Sequence, residues 1–199
     1  MRSVLTAILM LGVLGTPLAH AQAFCELRDP SRVIRDLVPE SVSFNSEVLS
    51  IDDRTRAAIV DSVGVTMHHQ ELGYHTLYTV WDDQNGKLGL VHVRPEATPW
   101  GLMEIAWMID LNGRVVDFTL QRCRSQHCEA MNSDKVHAVF YRRDLTSLNE
   151  LLHERTDNVD RMWLKQLGLS DEQEPLFAAI TLSAIKTLAV LEYGGLIGE

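Results

Sequence analysis

The residues of this chain best suited to chemistry are its thiols and imidazoles. Three cysteines, Cys25, Cys123 and Cys128, can form disulfides, bind metal or exchange electrons, but three thiols cannot all pair within one chain. Cys123 and Cys128 flank a four-residue stretch, RSQH, so a local bridge is the first expectation and a pairing of Cys25 with either one is its rival. The spacing is not C-x-x-C, which argues against a redox-active dithiol, and no C-x-x-C-H is present for covalent haem. His68 and His69 are adjacent and His75 follows, a crowding that invites a metal. Adjacent side chains on a strand point to opposite sides, however, and no Asp, Glu or Cys stands at a ligand spacing, so strand or loop histidines are the plainer expectation. His92, His127, His137 and His153 are scattered singly. No paired carboxylates, no nucleophile with its base and no glycine-rich phosphate loop stand out, and most acidic residues fall on expected helix surfaces.

The compartment decides what the thiols can do. Arg2 precedes an apolar run, VLTAILMLGVLG, then Pro17 and Ala19-His20-Ala21, the layout of a secretory leader with an A-x-A cleavage site. The run is well short of the roughly 20 residues that a membrane span requires. The expectation is a signal peptide over 1–21, a single domain over 22–199 starting at Gln22, and a periplasmic or otherwise exported location where disulfides persist. The full chain carries a formal charge of −9, and losing Arg2 with the leader takes it to −10. Such a surface is a poor one for nucleic acid or anionic lipid.

These residues need a frame, and the stretch from Tyr74 to Gln121 supplies it. Two pairs of apolar, β-prone runs are each joined through Asn-Gly, at Asn85-Gly86 and Asn112-Gly113, which predicts two consecutive hairpins with Pro95 and Pro99 marking the break between them. Met103, Ile105, Trp107 and Ile109 alternate with Glu104, Ala106, Met108 and Asp110, predicting one buried face and one partly wet. Before the hairpins, SRVIRDLVPE reads as a short helix ended by Pro39 and SVSFNSEVLSI as an extended segment. Asp52 or Asp53 can cap a helix that stops at Gly64. After them, Ser133-Asp134 can open a helix through Tyr141, Asp144 can cap LTSLNELLHER, and DNVDRMWLKQLG is stopped by Gly168. Ser170 with Gln173 suggests a capping box, followed by a core helix from about Glu174 to Glu192 that packs on the sheet. The fold class expected is α+β, an antiparallel sheet built from two consecutive hairpins and backed by helices.

With VPESVSF, YTVWDDQNGKLGLVHV and GLMEIAWMIDLNGRVVDFTLQRCRS in this order, followed by helices that include AVFYRRDL, most of the chain after the leader resembles the FMN-binding domain family. That family includes exported flavoprotein subunits of the Rnf and sodium-translocating quinone reductase complexes and the extracytoplasmic domain of the nitrous oxide reductase regulator. The resemblance implies an electron carrier rather than a self-sufficient enzyme, with FMN esterified to a threonine near the C-terminus by a flavin transferase. Its partners would be a membrane redox complex or an extracytoplasmic redox protein. In AAITLSA, Thr181 matches the acceptor and Ser183 the downstream hydroxyl, while Ala178, Ala179 and Ile180 replace the family's Ser-Gly-Ala. Arg122 and Arg124 would offset phosphate charge, and Trp107 or Tyr193 would pack against the flavin ring. Two other readings stay open. One is a cofactor-free member of the same fold acting as a sensor, assembly factor or interaction module, with the Thr181 hydroxyl bonded back to a carbonyl one turn earlier. The other is a small-molecule or metal-binding protein using the histidines before the first hairpin.

Overall fold

A computed structural model describes residues 29–67, 71, 73–154 and 156–197. The expected leader, Cys25, His68 and His69 lie outside the described residues. Five strands, β1 (Ser43–Ile51), β2 (Gly73–Trp81), β3 (Lys87–Thr98), β4 (Gly101–Ile109) and β5 (Val115–Arg122), form one antiparallel sheet in sequence order. The α+β class is as expected, and the extended segment ahead of the hairpins joins the sheet as β1, paired with β2.

Both expected hairpin turns form, by a route that differs from a two-residue turn. Trp81 pairs with Lys87 and Ile109 with Val115, which leaves five residues in each loop. The loops share one design. An aspartate at the first position, Asp82 or Asp110, accepts from two amides further round the turn, those of Gln84 and Gly86 or of Asn112 and Arg114. The positive φ falls on the fourth residue of each loop, Asn85 at 60° and Gly113 at 72°, a conformation that Asn and Gly adopt at low cost. Asparagine and glycine therefore exchange roles between the two loops. The prolines do not break the sheet either. Pro95 lies within β3 opposite Glu104, and Thr98 pairs with Gly101, so β3 and β4 form a third tight hairpin around Pro99 and Trp100.

The expectation of a partly wet face fails at β4, where every residue from Met103 to Ile109 is buried. Helix α1 (Ser31–Leu37) is the reason: Val33 and Ile34 pack over Val80, Val91, Val93, Ala106 and Met108 on the back of the sheet. The front carries the main core and the remaining helices, α2 (Asp53–Val63), α3 (Cys128–Met131), α4 (Asp134–Phe140), α5 (Leu145–Asn149), α6 (Arg161–Leu167) and α7 (Glu174–Tyr193). Caps fix most of their ends. Asp52 accepts from the Thr55 amide, and Gly64 ends α2 in the left-handed region. Asp144 makes a capping box with Ser147 at α5, Asp160 caps α6, and Gly168 stops it. The predicted helix after Asp144 is cut short at Asn149, because the chain turns back so that Leu152 can bridge to Val159.

Helix α7 organises the front. It starts at Glu174 with Pro175 in its first turn, while the Gln173 side chain accepts from the Ser170 amide, which is one half of the expected box. Its 20 residues are long and apolar enough to cross a membrane, yet 78% of its most apolar window is buried inside this fold. Phe177, Ile180, Ile185 and Leu188 are fully enclosed. Each such side chain contributes about 1.5–3 kcal/mol by leaving water. Because α7 meets other elements on nearly every side, it shows no clear polar face.

Candidate functional site

Chemically capable side chains gather in two places, a sealed polar seam beneath α7 and an open groove beside β5. The seam follows from two periodicities. On β3, His92, Arg94 and Glu96 share the face toward α7, as alternate residues of a strand must. On α7, Ser183, Lys186 and Thr187 occupy positions i, i+3 and i+4 of one helix face. Bringing the two faces together pairs His92 with the Thr187 hydroxyl at 3.2 Å and Lys186 with Glu96 at 3.3 Å. Glu71, just before β2, completes the cluster. Its carboxylate receives Lys186 at 3.0 and 3.2 Å and also Arg94, which binds Glu96 in turn at 3.0 Å.

Two cations therefore face two anions, all at most 7% exposed. Desolvation of that size is tolerated only when each charge is paired. The imidazoles nearby are held neutral. Burial, reinforced by the Arg94 charge, lowers His75 to about 4, against the opposing pull of the Glu71 carbonyl that its ring bonds at 2.9 Å. Burial likewise pushes His92 well below its ordinary value, and the two rings lie 5.5 Å apart. No group of three or more His, Cys, Asp or Glu among the described residues has a metal-binding arrangement.

The flavin-attachment residues expected from the family resemblance lie along the same helix. Thr181 is 0% exposed, and its hydroxyl donates to the Phe177 carbonyl one turn back at 2.9 Å. Ser183 is equally buried and accepts the Trp107 indole N–H at 2.9 Å. Trp107 itself is a core residue, stacked at an angle on Phe118 with ring centres 4.9 Å apart. Tyr193 is partly exposed on the last turn of α7. These residues do not fit an esterified FMN: the acceptor hydroxyl sits within an uninterrupted helix, is fully buried and has its partner already.

Arg122 and Arg124 lie apart from both hydroxyls, in the groove. A disulfide joins Cys123 to Cys128, with Cα atoms 6.0 Å apart, so the local bridge forms and the rival pairings with Cys25 drop out. It ties the end of β5 to the start of α3. Beside it is an open hollow of about 480 Å³ lined by Arg122, both cysteines, Arg124, Glu129 and Asn132 among others. Arg122 also reaches Glu104 at 3.3 Å on the back of the sheet. Asn132 borders a second hollow of about 510 Å³, which contains Asp117, Asp134, His137 and Tyr141.

In that second hollow, the His137 ring stacks on Phe118 with centres 4.2 Å apart and bonds the Asp117 carboxylate at 2.6 Å through Nδ1. Burial pushes the Asp117 carboxyl upward, but the bonds from His137 and from the Phe118 amide outweigh it and leave the group below its ordinary value. The pair fixes the imidazole with Nε2 as its unbonded nitrogen among the described contacts. Sequence reading missed both the seam and the pair. The seam had a usable signal, polar residues at every second position of an otherwise apolar strand; Asp117 and His137, 20 residues apart, had none.

Comparison with known proteins returns no matching family model, no curated relative and no matching solved structure.

Proposed function

We propose that this chain is an exported, cofactor-free domain whose architecture is akin to that of the FMN-binding family, acting as a sensor or interaction module rather than as an electron carrier. The observation that carries the reading is the closure of both hydroxyls in the attachment segment. A transferase must reach the Thr181 oxygen and leave a phosphodiester there. Reaching it would require α7 to unwind between Phe177 and Ser183, exposing Phe177, Ile180 and Ala184 and freeing the Trp107 indole N–H inside the core. A buried donor left without a partner costs about 1–3 kcal/mol, before the lost apolar burial is counted. Ala179, where the family has glycine, keeps the segment helical. Export is supported by the leader pattern and by the disulfide. The groove beside β5 offers the open surface that a recognition module needs, polar around Arg122 and Arg124 and mixed around His137.

The test is the intact mass of the exported chain produced together with an active flavin transferase. The expected mass is that of the bare processed chain. A gain of one esterified FMN that disappears in Thr181→Val would overturn the reading and restore the carrier.

A further inference from the structure

We infer that the Cys123–Cys128 bridge is an exchangeable disulfide, opened through the hollow beside β5 by a thiol that carries carboxylate groups. This goes beyond the proposed function and does not depend on it. Three features of the site converge. Both cysteines are partly exposed and line the hollow, so an attacking sulfur can approach without unfolding the chain. Arg122 and Arg124 flank Cys123 in sequence and line the same hollow, supplying positive charge on a chain whose net charge is −9. Glu129 is an opposing acid there, and Glu104 engages Arg122, which leaves Arg124 as the more available cation.

The bridged segment is also held by bonds of its own. The His127 amide donates to the Ser125 hydroxyl at 3.1 Å and the Cys128 amide to the Ser125 carbonyl at 3.4 Å. Met131, in α3, is anchored in the core. Opening the bridge therefore need not cost the fold.

In the reaction, a thiolate attacks one of the two bridge sulfurs. A new S–S bond forms to the attacker as the Cys123–Cys128 bond breaks, and its electron pair leaves on the other cysteine as a thiolate. A second equivalent of the thiol attacks the mixed disulfide, releasing the chain as a dithiol and the reductant as its own disulfide. Two electrons pass from two thiols to one bridge, and the departing cysteine thiolates take protons from water. The arginines favour a carboxylate-bearing thiol by attraction and stabilise the leaving thiolate.

The test uses the full exported chain carrying Cys25→Ala, so that every thiol detected comes from the bridge. Native protein is incubated with reduced glutathione or with cysteamine at matched thiolate concentration. Opened bridges are trapped with a maleimide and counted by intact mass as two labels. Glutathione is expected to open the bridge at a rate unchanged by urea below the unfolding transition. It should do so about fivefold faster than cysteamine, and Arg124→Gln should abolish that preference. Opening that rises with urea in step with global unfolding would overturn the inference. So would a rate at which glutathione has no advantage over cysteamine, or an advantage that survives in Arg124→Gln. Arg124 is exposed and outside the core, so its substitution leaves the fold intact.

Discussion

The seam beneath α7 and the groove beside β5 hold similar kinds of side chain in opposite circumstances. Each has carboxylates, cations and imidazoles within bonding distance. In the seam, Glu71, Arg94, Glu96 and Lys186 are shut away from water, and the imidazoles of His75 and His92 are forced neutral. In the groove, Asp117 and His137 pair at 2.6 Å while both remain partly exposed, and Arg122 and Arg124 border an open hollow. The difference lies in what a change of partner or of protonation must cost. The seam is held by mutual neutralisation, so its members constrain the fold. The groove can gain and lose partners without disturbing the core, which is where recognition and exchange belong.

Removing one charge from the seam should separate the two regions most sharply. Lys186→Met removes one of the two cations that Glu71 and Glu96 share, and chemical denaturation should show a loss of about 3–5 kcal/mol. A loss below 1 kcal/mol would mean that the seam is wet, and the contrast would collapse. Acid should act next most strongly. An unfolded histidine titrates near 6.5 and the folded His75 near 4, so between those values the unfolded chain takes up a proton that the folded chain refuses. This contribution to stability is full above about pH 6.5 and is lost as pH falls toward 4, amounting to roughly 3 kcal/mol. His92, displaced in the same direction, steepens the same limb. Urea midpoints measured across this range should slope less in His75→Gln than in the parent chain. The smallest effect belongs to the groove. Asp117→Asn weakens a partly exposed hydrogen bond to His137 and should shift stability by less than about 1 kcal/mol in the same urea titration.

Local rules made much of the scaffold readable. The aspartate caps of α2 and α5 and the glycine stops at Gly64 and Gly168 each satisfy their own backbone, whatever lies across from them. What escaped depended on partners distant in sequence. The wet face expected for β4 is covered by α1, whose Val33 comes about 70 residues earlier. Lys186 stands in a largely apolar helix, and its partners Glu71 and Glu96 lie 115 and 90 residues away. For Thr181 the bond back to a carbonyl one turn earlier was legible as one of the open readings, being local, whereas the complete burial of that hydroxyl depends on how α7 packs. The Cys123–Cys128 bridge spans five positions, within reach of local reasoning.

The central place of α7 bears on how the molecule comes into being. The five strands can pair progressively as they emerge, since each partners its neighbour in sequence. Their front face nevertheless stays incompletely covered until the segment from Glu174 to Tyr193 is in place, because α7 completes the core there. Until then Glu71 and Glu96 lack their lysine counterpart, and Trp107 lacks the serine that receives its indole N–H. A chain of this design stays unfinished until α7 docks, and up to that step the apolar front of its sheet is open to the wrong partners.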